Sequence, residues 1–147
     1  RCRWTVRCTT PRHMSPSSGG RTVEVRSRGE GPRRQPGPNA PTVEVLFGGE
    51  PGGPDLGVVR VEVPVGVGMA EHTHGGSDIV LLPVAGAVDI AKGDEVVHVC
   101  VGDAILIRKD EAVSLSNRGD GPADLIVAAA PPAFVESIRS WPDAAGA

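Results

Sequence analysis

The chain has 147 residues, enough for one domain with a modest core, and a formal net charge of −3. That charge is unevenly spread: residues 1–40 hold nine Arg against two Glu, a balance of +7, whereas residues 41–147 hold six basic and sixteen acidic side chains, a balance of −10. The acidic larger part argues against nucleic acid as a partner, and no apolar run is long enough to span a bilayer. Residues 1–40 read as a disordered segment. Arg, Pro, Gly and Ser dominate there, so little apolar burial offsets the cost of ordering the backbone. Its Thr22-Val23-Glu24-Val25 recurs as Thr42-Val43-Glu44-Val45, and the first copy is a candidate extra edge strand.

A single domain is expected over residues 41–147. It holds few aromatic residues and many valines, which favour strands. Thr42 to Phe47 alternates apolar and polar residues as a strand does, and the Gly- and Pro-rich stretch 48–54 is a loop. Val59, Val61, Val63, Val65 and Val67 share one parity with Arg60 and Glu62 on the other. This predicts a half-buried strand running toward His72, with Pro64 marking an edge position or a bulge. Ile79–Val84 is the next strand. Val88–Ala91 and Val96–Val101 form a hairpin about Lys92-Gly93-Asp94-Glu95. Ala104–Ile107, Ala112–Ser116 and Leu125–Ala130 complete the strands, separated by turns at Gly102-Asp103, 108–111 and 117–122. Phe134, Val135, Ile138 and Trp141 fall at helical spacing after Pro132 and before Pro142, predicting a short terminal helix packed on the sheet. Many short strands with turns every eight to twelve residues imply an all-β sandwich or barrel.

The stretch from Gly66 to Asp78 carries the chemistry. His72 and His74 are two apart and share a face on an extended strand. Gly75 and Gly76 give the backbone freedom to turn the Asp78 carboxylate toward them. Two imidazoles and one carboxylate with open positions form the donor set of non-haem iron and related divalent sites. Elsewhere, His98 and Cys100 share a strand face and read as a strand histidine beside a buried cysteine rather than a soft-metal pair. Glu111 reads as part of a charged turn, with a late carboxylate ligand as the other reading. Arg108 is either a surface residue or a contact for an anionic substrate. Cys2, Cys8 and Cys100 show no paired spacing, so no disulfide framework is implied and a reducing, cytoplasmic compartment is the expectation.

On these residues the chain resembles the cupins, small jelly-roll β-barrels. Their first motif is a Gly, five residues, His-x-His, three or four residues, Glu, six residues and Gly. Gly66, His72, His74 and Asp78 match it with Asp for Glu, and Gly86 closes it one residue late. Gly102 and Asn117 stand at the separation of the second motif. Arg108 and Asp110 occupy its Pro and Gly positions, and Val113 occupies its His position. The resemblance spans about residues 42–130. It implies a divalent metal (Fe, Mn, Ni or Zn) on His72, His74 and Asp78, with the fourth ligand missing because Val113 cannot coordinate. Two outcomes stand: a three-ligand set with more room for substrate, or a vacant site.

The function implied is a metal- and small-molecule-binding cupin acting as a dioxygenase or isomerase on an organic acid, sugar or phenol. The alternatives are a non-catalytic ligand-binding or sensory module with a degenerate metal site, and a structural barrel filled with valines. A homodimer joined through sheet edges is also implied.

Overall fold

The computed structural model describes residues 23–146. Cys2, Cys8, His13 and the disorder expected over 1–22 lie outside the described residues. Ten strands and one helix follow in chain order: β1 (Arg33–Arg34), β2 (Thr42–Phe47), β3 (Gly57–Val63), β4 (Gly68–His72), β5 (Asp78–Ala85), β6 (Ala87–Lys92), β7 (Glu95–Cys100), β8 (Ile105–Ile107), β9 (Val113–Ser116), β10 (Ala123–Ala130) and α1 (Ala133–Arg139). They form a six-stranded sheet in the order β1-β2-β3-β10-β5-β8 and a four-stranded sheet in the order β4-β9-β6-β7. From β3 onward the chain passes repeatedly between the two sheets, and every pairing is antiparallel. This is the jelly roll expected from the sequence, with the short C-terminal helix in place.

Period-two alternation decides which side chains fill the space between the sheets. Along β3, Val59, Val61 and Val63 are buried, whereas Arg60 and Glu62 between them face outward. Leu81 on β5, Ile90 on β6, Leu115 on β9 and Leu125 and Val127 on β10 meet them in one aliphatic cluster. Val135 and Ile138 of α1 are fully buried against the same cluster, close to β2, β3 and β10. The outer face of the large sheet is apolar at its β8 end, where Val80, Leu82 and Val84 of β5 lie exposed beside Leu106.

The long strand expected from Val59 to Val67 is two strands in different sheets. β3 ends at Val63; Pro64 has no N–H to continue the ladder, and Val65 is exposed. Val67 N–H closes a turn onto the Pro64 carbonyl at 3.1 Å, and the chain enters the small sheet at Gly68. The buried Asn117, at the end of the second motif, fastens this crossing. Its Nδ2 donates to the carbonyls of Val63 and Gly121 at 2.9 Å each, and its Oδ1 accepts from Gly119 N–H at 3.0 Å. Pro64 thus marks a change of sheet, because β3 lies inside its sheet, between β2 and β10.

Part of the segment before residue 41 is held against the large sheet. Arg33–Arg34 pairs with β2, and Glu44, buried on that strand, accepts hydrogen bonds from Gly29 N–H (2.7 Å) and Gly31 N–H (2.9 Å). Arg28 and Arg33 reach Glu62 on β3, and Arg34 pairs with Asp143 near the C-terminus. Arginines of this stretch, which the sequence reading placed in a disordered segment, find carboxylates on the domain. Val23 and Val25 are exposed and outside any strand, so the described part of the first Thr-Val-Glu-Val copy adds no edge.

Candidate functional site

β4 ends on His72 and leads into His74. Its pairing with β9 is regular at Gly68 and Met69, slips between Met69 and His72, and resumes with His72 opposite Val113. A bulge of this kind re-aims the side chains next to it. His72 Nδ1 lies 2.8 Å from the Ala70 carbonyl within the bulge. In the neutral ring that contact places the proton on Nδ1 and leaves Nε2 as an acceptor. His74 follows just beyond the strand. The two rings meet edge to face with centroids 4.9 Å apart, and His74 also meets the Phe134 ring of α1 at 4.7 Å.

His74 is only 8% exposed, and its Nδ1 is buried with no hydrogen-bond partner. Burial, and then the neighbouring His72, push its pKa down to about 4, because an apolar wall cannot solvate an imidazolium. At neutral pH His74 is therefore an uncharged ring.

Asp78 does not join them. After Gly75, which turns the chain in the left-handed region at φ 56°, the carboxylate accepts Lys109 N–H at 3.0 Å. Beside it, Asp110 N–H donates to the Gly75 carbonyl at 3.0 Å. Asp110 itself has φ 59°, so it adopts the left-handed conformation at the position where the second cupin motif carries Gly. Asp78 thus clamps the β8–β9 turn onto the histidine loop.

The remaining candidates are also engaged elsewhere. Glu111 accepts from Lys92 Nζ (2.6 Å) and Arg108 N–H (2.8 Å); both contacts lower its pKa, Lys92 more strongly, as the charged-turn reading requires. Arg108 is exposed, in that same turn. His98 Nδ1 pairs with Asp89 at 2.7 Å. The Cys100 thiol donates to Asp103 at 3.2 Å, which holds its pKa up. Cys100 is exposed rather than buried, because its parity on β7 places it on the outer face.

A cavity of about 40 Å³ lies between the sheets beneath the histidines. Apart from His72 and His74, its walls are aliphatic or aromatic, with Met69, Leu125, Ile138 and Trp141 among them. Above it, a groove of about 240 Å³ opens at the barrel mouth beside α1. The two spaces share the side chains of Met69, His72, His74, Phe134 and Trp141, which form the partition between them. Ser77 fixes one side of this partition. Fully buried, its hydroxyl donates to the Pro131 carbonyl (2.6 Å) and accepts Phe134 N–H (3.1 Å) at the start of α1. At the other end of α1, Arg139 reaches the Gly48 carbonyl at 3.0 Å and Glu50 at 2.8 Å. Helical spacing in the sequence marked Phe134 and Trp141 as packing residues; nothing in it indicated that they pack at the mouth, and Met69 carried no signal.

Among the described residues, no three His, Cys, Asp or Glu side chains come together as a metal-binding group. The donors present are two imidazoles, with Asp78 bound to a backbone N–H and Val113 buried opposite His72. Open divalent sites use about three protein ligands. The three-ligand site expected from His72, His74 and Asp78 is therefore not assembled, and the donor set does not fit a divalent metal.

No protein-family model matches the chain, and no curated protein sequence does. Solved structures do match. A Cupin 2 conserved barrel domain protein from Salinispora arenicola aligns with a TM-score of 0.63 at 16% identity, covering 81% of this chain and 98% of that one. The polyketide cyclase RemF from Streptomyces resistomycificus aligns with a TM-score of 0.64 at 17% identity, covering 74% and 80%. A protein with a double-stranded β-helix domain from Klebsiella pneumoniae aligns with a TM-score of 0.56 at 22% identity, covering 67% and 83%. The chain has the cupin-type jelly-roll fold. Among the described residues, no helix is long and apolar enough to cross a membrane.

Proposed function

We propose that this chain is a small-molecule-binding or sensory protein of cupin fold, with its ligand at the mouth of the barrel against His72 and His74. The observation that carries this reading is the shared partition. One set of side chains, two imidazoles among them, separates an apolar cavity from an open groove. A concave, mostly apolar space with a few convergent polar groups is the usual form of a ligand site. That a polyketide cyclase shares the fold supports the use of such a barrel for an organic molecule. A metal-dependent dioxygenase or isomerase, the function first implied by the cupin motifs, would need a third donor beside His72 and His74. Asp78 is held by Lys109 N–H instead, so ligand binding without a metal is the better-supported reading.

The test is a screen of small organic molecules by NMR, following the Met69 methyl and the Trp141 indole N–H. Binders should move both signals together, and the movement should be lost in a His72→Ala/His74→Ala double variant. If both signals stay still throughout the screen, or if movement persists unchanged in the variant, this site is not where the protein binds ligands.

A further inference from the structure

We infer that two stretches of this chain fit the place of β2: residues 23–30 exchange with residues 43–50 for it, a change of strand register by twenty residues that is built into the sequence.

The likeness of the two stretches extends past Thr-Val-Glu-Val. Gly29-Glu30 follows the first as Gly49-Glu50 follows the second, so six of the nine positions from Thr22 and Thr42 onward are identical. These identities fall where the place is most demanding. Val43 and Val45 are buried in the core, opposite Val61 and Val59, and Glu44 stands opposite Arg60. Past the strand, Gly49 has φ 78° and runs so close to α1 that an added Cβ would lie 2.7 Å from the Glu136 nitrogen. Glu50 then pairs with Arg139 at 2.8 Å. Val23, Glu24, Val25, Gly29 and Glu30 supply each of these groups in the same order. Gly29 is already left-handed, at φ 86°.

The first stretch leaves its valines in water. Val23 is 88% and Val25 82% exposed, so both gain by burial wherever a matching place opens. It also lies beside that place: Arg26 sits over the Phe47 ring, 5.6 Å from its centroid, and Gly29 N–H donates to Glu44 at 2.7 Å. The three differences decide which stretch holds it. Leu46 and Phe47 correspond to Arg26 and Ser27, and Gly48 corresponds to Arg28. Gly48 has φ 84°, and a Cβ there would lie 2.5 Å from the Leu56 carbonyl oxygen, a position strained for arginine. Residues 43–50 therefore occupy the place in the structure. The longer loop to β3 after exchange adds little, because closure entropy grows only with the logarithm of length.

Exchange alters one side of the barrel mouth. Val43 lines the cavity beneath the histidines, and Val23 in its place keeps that lining. Residues 36–40, which with β4 line a groove of about 410 Å³ reaching His72, leave with the displaced loop.

The test is Val45→Asp, followed by urea denaturation and by hydrogen exchange resolved to single amides. An unpartnered carboxylate in the core unfolds a barrel that has one candidate for β2. Exchange predicts instead a folded barrel, in which the Glu24 and Val25 amides slow by about tenfold or more relative to the parent chain and residues 43–47 lose their protection. Val25→Asp alone should keep the parent's urea midpoint, and Val25→Asp/Val45→Asp should have no folded state. If Val45→Asp does not fold, Arg28→Gly/Val45→Asp, which relieves the strained position, should fold where Arg28→Gly/Val25→Asp/Val45→Asp does not. The inference is overturned if Val45→Asp folds with no added protection at Glu24 and Val25. It is equally overturned if the Val45→Asp chains that keep Val25 are as unfolded as those that lose it.

Discussion

His74 is the residue whose surroundings have the most direct thermodynamic consequence. Its pKa is about 4 in the fold and near 6.5 in an unfolded chain, so between those values the unfolded state binds the extra proton. The contribution of the neutral buried ring is therefore complete above pH 6.5 and is lost as pH falls through 6.5 toward 4. The shift corresponds to roughly 3 kcal/mol of stability removed across that window. Urea denaturation at pH 7.5 and pH 4 should show this loss, and His74→Leu should show a dependence shallower by about that amount. A variant with the same pH dependence as the parent chain would mean that His74 is not the buried titrating group.

The pairing of His72 with His74 was legible in the sequence because adjacency on an extended segment settles it. The fate of Asp78 was not. Gly75 and Gly76 allow the carboxylate either direction, and the choice is made by Lys109 N–H, thirty-one residues further on. The loss of the second-motif histidine was visible at Val113. That the remaining carboxylate would also be withdrawn was not, because nothing local in the sequence encodes it.

Among the elements, α1 borders the proposed binding site. Its helical spacing in the sequence gave its existence and its buried face, Val135 and Ile138, while its position over the barrel mouth depends on contacts distant in sequence. Ser77 makes two of these, bridging the histidine loop to the Pro131 carbonyl and Phe134 N–H. Ser77→Ala leaves both groups without that partner, at a cost of about 1–3 kcal/mol where burial persists. The loss should be concentrated in α1: hydrogen exchange should quicken at Phe134–Ile138 and stay unchanged in β3 and β10. Uniform acceleration across the sheet would show that Ser77 supports the whole barrel and not the mouth in particular. The single strand expected through Val67 failed for a comparable reason. The valine alternation continues past Pro64, but an alternation is blind to which sheet a residue belongs to.

For the whole molecule, two sheets with an aliphatic interior and a terminal helix followed from period-two and helical patterning and turn chemistry, all of which are local. The contacts of residues 23–40 did not follow, because the composition of this stretch is that of a disordered segment. What orders this stretch is a set of specific partners: Glu44 for two backbone N–H groups, Glu62 for Arg28 and Arg33, and Asp143 for Arg34. Gly31 passes so close to β2 that an added Cβ would sit 2.1 Å from the Val45 carbonyl oxygen. Gly31→Ala should therefore lift this segment from the sheet and lower stability by about 1–3 kcal/mol, the range for an overpacked or unpaired buried site. Proteolysis should cleave between residues 23 and 40 in the variant before it cleaves the parent chain there. Equal resistance in the two would show that the segment does not depend on this contact.

The role proposed for His72 and His74 is to meet an organic ligand and not to supply two-thirds of a metal site. Elemental analysis tests it most directly, on the full chain reconstituted separately with Fe²⁺, Mn²⁺, Ni²⁺ and Zn²⁺ and then dialysed. With two imidazoles and no third donor beside them among the described residues, less than about one-tenth of an equivalent of each metal per chain is expected. Close to one equivalent of any of them, lost in His72→Ala/His74→Ala, would contradict it.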